Sequence, residues 1–326
     1  MKDHESLRKW IELANDFGKT KTPFLFILDF ELKKPIIYAL DNIPENISYK
    51  VNTRKNYNIK AKSSRKIVLH KSPILFSEYK MKFDKVMEEI LYGNSFLLNL
   101  TIKTKIESNF TLKEIFTAAH AKYKLFFDNK FCVFSPESFI KIEDNYIKTF
   151  PMKGTINASI KDAKYKLLND QKEMAEHATI VDLLRNDLSQ VAKSVHVKKY
   201  RYIDKINTTD TSLYQASSEI IGKLHDNYYA SLGDLLISLL PAGSVSGAPK
   251  IKTVEIIKEA EKEERGYYTG IFGIFDGENL DSGVMIRFIE NIDGQLYYRS
   301  GGGITFQSNA ESEFLECIDK IYVPIS

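Results

Sequence analysis

Pro241-Ala-Gly-Ser-Val-Ser-Gly-Ala-Pro-Lys250 is the stretch that decides how the rest of this 326-residue chain is read. Its small residues let a backbone approach a ligand closely, Ser244 and Ser246 offer hydroxyls, and Pro249 suits a first helical turn. Such a loop aims amide N–H groups at an anion, or it is simply a tight turn before a helix.

Downstream, helical spacing predicts a helix from Pro249 to Glu264. A β-meander is expected over Gly270–Phe275, Val284–Glu290 and Gln295–Arg299, with Asp276-Gly277 and Asp293-Gly294 as turns. A last helix is expected from Ala310 to Tyr322. Upstream, Ser231–Leu240, Thr211–Leu224 and Lys161–Ala192 all read as helices. Short strands are expected around Phe131, Ile140 and Ile147. Thr111-Leu-Lys-Glu114 is a capping box opening a helix to about Tyr123. Phe96–Ile106 reads as a strand, and Ser77–Tyr92 as a helix stopped by Gly93-Asn94. Residues 1–75 say least: strands at Phe24–Phe30 and Pro35–Leu40, then Asn- and Lys-rich loops and edge strands to about residue 65. Strands and helices mix without βαβ alternation, so an α+β fold on large antiparallel sheets is expected.

The balance of 43% hydrophobic, 27% charged and 12% aromatic residues is globular, and the length suits one large domain or two. A net charge of +3, with no run of five Lys/Arg, gives no argument for nucleic acid. The charged N-terminus has no apolar signal core and no stretch is long enough to span a membrane, so a cytoplasmic protein is expected. Cys132 and Cys317 form no Cys-x-x-Cys pattern and read as buried reduced thiols.

Two acidic pairs, Glu173-Met-Ala-Glu176 and Glu313-Phe-Leu-Glu316, each place both carboxylates on one helix face. Two such faces meeting would offer the hard oxygen donors that Mg²⁺ takes; read alone, each is an ordinary solvated face. Lys153, between a proline and a glycine in Phe150-Pro-Met-Lys-Gly-Thr155, is a held lysine whose burial would lower its pKa toward that of a nucleophile, or a surface turn lysine. Gly301-Gly-Gly303 offers amides to a carboxylate or permits a sharp turn.

Taken together, Gly93–Thr101, Ser135–Thr155, Glu173–Val191, Pro241–Glu255, Arg265–Arg287 and Ser300–Lys320 resemble, in order, the chorismate-utilising family of anthranilate, aminodeoxychorismate, isochorismate and salicylate synthases. Ile180-Val-Asp-Leu-Leu-Arg-Asn-Asp187 and Gly243–Lys250 carry the most specific likeness. The resemblance implies a single domain over 1–326, with a reduced N-terminal portion (1–75) and a catalytic core (76–326). Its expected fold is two stacked, largely antiparallel sheets in α/β/β/α layers with the site in the cleft. It implies one Mg²⁺, with Glu176 and Glu316 as direct ligands and Glu173 and Glu313 supporting them. Arg287 and Tyr268 match residues gripping the pyruvyl carboxylate. Gly302, Gly303, Lys320, Thr155, Ser244 and Gly247 match further substrate contacts.

Pro151-Met-Lys-Gly-Thr155 is similar to the aminodeoxychorismate synthase motif, which carries lysine where the family usually has alanine. The resemblance implies that Glu137 protonates the departing C4 hydroxyl while Lys153 attacks C2, and that ammonia then attacks C4 and expels the lysine. Leu97 stands where water-activating members have a lysine, which argues against isochorismate and salicylate synthesis. Gln215 replaces a histidine many members place near the ring. Neither cysteine has a glutaminase setting and the chain stops just after the family's final helix, so a separate glutaminase subunit in a heterodimer is expected, on the family's pattern rather than any visible patch. Anthranilate synthase component I is the rival reading.

Overall fold

The computed structural model describes residues 2–58, 66–207 and 212–325. The elements run α1 (Lys2–Lys19), β1 (Phe24–Leu28), β2 (Ile36–Ala39), β3 (Ile47–Val51), β4 (Arg54–Lys55), β5 (Leu69–Ser72), α2 (Phe76–Leu91), β6 (Leu97–Ser108), α3 (Leu112–Ala118), β7 (Tyr123–Phe127) and β8 (Phe131–Ser135). They continue with β9 (Ser138–Glu143), β10 (Tyr146–Thr149), β11 (Met152–Asn157), α4 (Ala163–Asn169), α5 (Gln171–Ser189), β12 (Lys193–Asn207), β13 (Ser212–Lys223) and α6 (Leu232–Ser238). Last come β14 (Gly247–Ala248), α7 (Lys250–Glu261), β15 (Ile271–Phe275), β16 (Leu280–Val284), β17 (Phe288–Ile292), β18 (Gln295–Ile304) and α8 (Ala310–Asp319).

Among the described residues the strands form two nine-stranded sheets. The first runs β11-β13-β10-β9-β16-β15-β1-β2, with β12 also on β13; the second runs β14-β6-β18-β17-β8-β7-β3-β4, with β5 on β6. Every pairing among the described strands is antiparallel. β1 shows why the sheets stack. Its run Phe-Leu-Phe-Ile-Leu is buried throughout. Phe24, Phe26 and Leu28 pack under α1, α5 and α6. Leu25 and Ile27 point the other way, into the inter-sheet core with Tyr49, Leu125, Val133, Phe272 and Phe288. Each of these side chains stabilises the stack by about 1.5–3 kcal/mol. On the far face of the second sheet, α2, α7 and α8 cover β6 and β18, and α3 covers β7 and β8. The α+β fold of two antiparallel sheets between helical layers is as the sequence predicts.

The capping box at Thr111 and Glu114 is present, and Cys132 and Cys317 are free and buried. Among the described residues no helix is long and apolar enough to cross a membrane. Several local readings need correction. The expected helix at Thr211–Leu224, whose first residue lies outside the described part, is strand β13 from Ser212 onward. It pairs along its length with β12 and, in two halves, with β11 and β10. Residues 216–222 are buried on both faces, so the alternation that marks a strand is absent. The long helix expected over Lys161–Ala192 breaks at extended Asp170, whose carboxylate accepts the Glu173 amide at 2.9 Å and caps α5. The helix expected to reach Tyr123 stops at Ala118, and Tyr123 opens β7. Helix α1, not anticipated, seats Trp10 and Ala14 on the first sheet, and the Trp10 indole donates to the Ile36 carbonyl at 3.0 Å. The stretch to residue 65 does supply the edge strand β4, with 59–65 outside the described residues, and β5 follows beyond it.

The expected strand Val284–Glu290 is two strands. β16 belongs to the first sheet and β17 to the second, and the chain crosses between them at 285–287. Arg287 takes left-handed geometry (φ 53°) at this crossing.

Two buried polar clusters fix the framework. Arg265 forms two bonds to Glu261 (2.9 and 2.6 Å) and donates to the carbonyls of Val245 (2.7 Å) and Asn99 (2.6 Å); Glu261 also accepts the Thr101 amide at 2.8 Å. Between α5 and β13, buried His177 lies 2.7 Å from the Ser218 hydroxyl. Burial, aided by the Arg201 charge, lowers the His177 pKa to about 4.

Glu261→Ala strips the charge partner from a buried guanidinium and should cost about 3–5 kcal/mol in urea unfolding. A Glu261→Leu/Arg265→Met pair should recover little of this, because the Val245 and Asn99 carbonyls then lack their donor. For His177, the unfolded chain takes up a proton near pH 6.5 that the folded chain refuses until about pH 4. Its contribution is therefore complete above pH 6.5 and lost as pH falls toward 4, about 3 kcal/mol in all. Urea midpoints for His177→Asn should show a flatter decline across that window than wild type.

Candidate active site

One cavity of about 750 Å³ lies between the sheets, walled by β6, β9, β11, α5, β18, the 243–247 loop and the 285–287 crossing. It gathers Glu137, Lys153, Glu176, Ser244, Gly247, Tyr268, Arg287, Gly302, Gly303 and Lys320 from the expected site. Thr155 stands outside this lining, exposed on β11 and paired with Gln215 of β13, which is also outside it. Glu173, Glu313 and Glu316 do not line it, although Glu316 pairs with the lining Lys320 and Glu313 stands against the lining Gly302.

Lys153 Nζ is 2.6 Å from Glu176 Oε2. Burial alone would lower its pKa, but Glu176, with the fields of Glu173 and Glu316, outweighs that and holds the ammonium above its usual value. This differs from the sequence expectation of a lysine lowered by burial. Three carboxylates from α5 and α8 thus act on one cation.

Glu137 receives a 2.6 Å hydrogen bond from the Ser244 hydroxyl. Burial raises the Glu137 pKa, and the Ser244 bond and the charges of Arg287 and Lys320 offset only part of that rise. The Ser244 loop is otherwise occupied with itself. Val245 and Ser246 amides and the Ser246 hydroxyl all donate to the Ala242 carbonyl, and the Gly243 amide serves Asp187. It presents the Ser244 hydroxyl to Glu137, and the amides of Gly243, Val245 and Ser246 are turned to Asp187 and Ala242. Only glycine fits position 247: φ is +134°, and a Cβ would lie 1.9 Å from the Leu97 carbonyl oxygen. Pro249 caps α7 in extended geometry, just before the helical turn predicted for it.

Four cations line the cavity: Lys153, Arg287, Arg299 and Lys320. Lys153 pairs with Glu176, Arg299 with Glu290 (2.7 Å), and Lys320 with Glu316 (2.6 Å). Arg287 pairs with no carboxylate among the described residues; it stacks 4.7 Å over the Tyr322 ring and donates to the Lys320 carbonyl at 3.3 Å. A planar guanidinium so placed is ready for a ligand carboxylate. Burial pushes the neighbouring Tyr268 hydroxyl pKa up, so it stays a neutral donor.

The acidic pairs have the right chemistry for Mg²⁺, since all their donors are hard oxygens. Within α8, Glu313 is buried and accepts from Ser308 at 2.8 Å, while Glu316 is half exposed. Gly302 leaves the space for this: a Cβ there would stand 3.3 Å from Glu313 Oε2. Among the described residues no three candidate ligands are packed closely enough to hold a metal as they stand. Sequence reasoning missed Asn99, Arg299 and Ser300, which also line the cavity, and the anchoring role of Arg265. Only the first half of β18 was legible: Gly301–Gly303, read as amide donors or a sharp turn, continues the strand in register with β6, and which face meets the cavity depends on sheet packing.

Comparison with known proteins agrees with this architecture. The pattern of the family described as chorismate binding enzyme matches residues 28–326. The chain is 51% identical over 323 residues to an uncharacterized PabA-like protein of Haemophilus influenzae, covering 98% of each. It is 33% identical over 263 residues to aminodeoxychorismate synthase component 1 of Salmonella typhimurium, covering 75% of this chain and 56% of that one. Its fold is similar to the crystal structure of anthranilate synthase component I from Streptococcus pneumoniae, with a TM-score of 0.67 and 28% identity, over 78% of this chain and 58% of that one. The chain belongs to the chorismate binding enzymes.

Proposed function

We propose that the chain aminates chorismate to 4-amino-4-deoxychorismate, acting as aminodeoxychorismate synthase component I. The observation that carries this reading is Lys153, an amine in the wall of a cavity that also holds a carboxyl with a raised pKa, Glu137. Arg287, with no carboxylate partner among the described residues, supplies the grip for a substrate carboxylate, and Tyr268 and the Gly302–Gly303 backbone lie beside the same space.

The ammonium of Lys153 must lose a proton before it can attack, and Glu176 Oε2 at 2.6 Å is in position to take it. The freed amine attacks C2 of the ring while the C4 hydroxyl takes the Glu137 proton and leaves as water. Ammonia then attacks C4, the C2–N bond breaks, and its electron pair returns to Lys153. Glu137, now a carboxylate, collects a proton from the new C4 ammonium, and Glu176 returns its proton to the Lys153 amine, which restores all three groups. The enolpyruvyl ether is untouched. In this reading Glu176 and Glu316, supported by Glu173 and Glu313, would hold a Mg²⁺, which would supply charge to neutralise and orient the ring carboxylate. That requires Glu176 to exchange its contact with Lys153. Ammonia comes from a separate glutaminase subunit, and the product feeds 4-aminobenzoate synthesis.

Purified chain given chorismate, Mg²⁺ and an ammonium salt should yield an amino product that keeps its enolpyruvyl group, read by mass spectrometry. Lys153→Ala should reduce its formation by at least about a hundredfold, and Glu137→Gln by a similar factor. Anthranilate with free pyruvate as products would overturn the assignment and favour anthranilate synthase.

A further inference from the structure

The second sheet ends in a row of lysines on the face turned away from the cavity. Lys55 of β4 lies directly opposite Lys50 of β3, and Lys50 directly opposite Lys124 of β7. Tyr49, Val51, Tyr123 and Leu125 of β3 and β7 enter the inter-sheet core, so the alternate positions, Lys50 and Lys124, take the outer face. Side chains opposed across a strand pair stand about 5 Å apart at their Cβ atoms, and like charges so placed destabilise the pairing. The row descends into the protein: Lys55 is exposed, Lys50 half-buried, and Lys124 only 4% exposed. Lys124 Nζ lies 4.6 Å from the centre of the Phe116 ring of α3 and 5.4 Å from that of Tyr57, and Lys55 Nζ lies 5.8 Å from the same Tyr57 ring. Lys50 donates to the Ala121 carbonyl at 2.9 Å. None of the three meets a carboxylate among the described residues. Burial and the charges of Lys50 and Lys55 lower the Lys124 pKa to about 8. Cys132 beside it brings no counter-charge, because burial pushes its thiol pKa up.

We propose that the Lys55–Lys50–Lys124 row binds a compact phosphate-bearing anion, at a site separate from the cavity and independent of the amination reading. Lysine is almost never fully buried without a partner, and here the buried ammonium also faces two like charges. Cation–π contact with Phe116 and Tyr57 holds Lys124 in place but adds no negative charge. An anion among the three turns their mutual repulsion into three attractions. A phosphate group, with close to two charges and three acceptor oxygens, matches three ammoniums better than a single carboxylate does. The descent of the row selects a small ligand: a polymer backbone would meet Lys55 at the surface and leave Lys124 unpaired. The cavity walls β6 and β18 lie beyond β8 and β17 in the strand order, and the cavity itself is on the opposite face of the sheet.

Sodium pyrophosphate is the probe, titrated into the full chain by calorimetry and followed by thermal unfolding against sodium chloride of equal ionic strength. Wild type should bind it with a Kd of about 1 mM or tighter, and should melt higher than in the chloride control. Lys55→Gln, an exposed change, should weaken binding about three- to fivefold. Lys124→Met keeps the aliphatic stem and removes the unpaired charge. It should melt higher than wild type without the anion and lose the response to pyrophosphate. Arg287→Ala, which removes the cavity guanidinium, should keep that response. Pyrophosphate that acts on wild type no differently from chloride overturns the site, and so does wild-type affinity in Lys124→Met. Loss of binding in Arg287→Ala also overturns it and puts the anion in the cavity. Should Lys124→Met fail to fold, Lys50→Gln/Lys55→Gln decides, and unchanged affinity in that double variant overturns the proposal.

Discussion

The cavity depends on a buried ion pair that never enters it. Arg265 and Glu261 are both sealed from solvent, a costly arrangement unless every polar atom finds a partner. Here the guanidinium binds its carboxylate twice and spends its remaining donors on the carbonyls of Val245 and Asn99, while its flat face lies 4.7 Å from the Phe30 ring. Val245 belongs to the loop that presents Ser244 and Asn99 to the strand forming the adjacent wall, so one side chain sets their separation. The Glu261 bond to the Thr101 amide extends the same fixation along β6. A hydrophobic pair of equal volume could fill the space but not bind two carbonyls.

That fixation explains the division of labour among the acids. Glu137 is held by a hydroxyl, with cations near but not bonded, and its pKa rises through burial. Glu176 faces an ammonium directly. Two carboxyls in one cavity thereby stand in different settings, Glu137 pushed by burial toward its protonated form and Glu176 ion-paired with Lys153.

Much of this was legible in the sequence where local chemistry decides local structure. The capping box at Thr111, the helix through Glu176 and the strand run at Phe24 follow from propensity and spacing. Legibility failed where tertiary pairing decides. β13 carries apolar residues at helix-like intervals because both of its faces and both edges are covered, and no single-strand pattern survives that. Val284–Glu290 reads as one strand because nothing in its composition marks the point where it changes sheets. The site residues were named by likeness to a family, and the cavity gathers most of them, but their partners were beyond reach. Neither the Lys153–Glu176 contact nor the Ser244–Glu137 bond joins residues close in sequence, and the outward position of Thr155 depends on the irregular register between β11 and β13.

The crossing at Arg287 links the two sheets covalently at the edge of the space between them. The gauge of that space is therefore set by the thickness of the aromatic and aliphatic packing further along, where Phe272, Phe288 and Tyr123 meet. A change of one methylene there alters no group that touches a ligand, yet it tilts one wall against the other about the crossing as a hinge pin. Drift in ligand preference within this fold is then open to substitutions that, by chemistry alone, would be classed as silent interior changes.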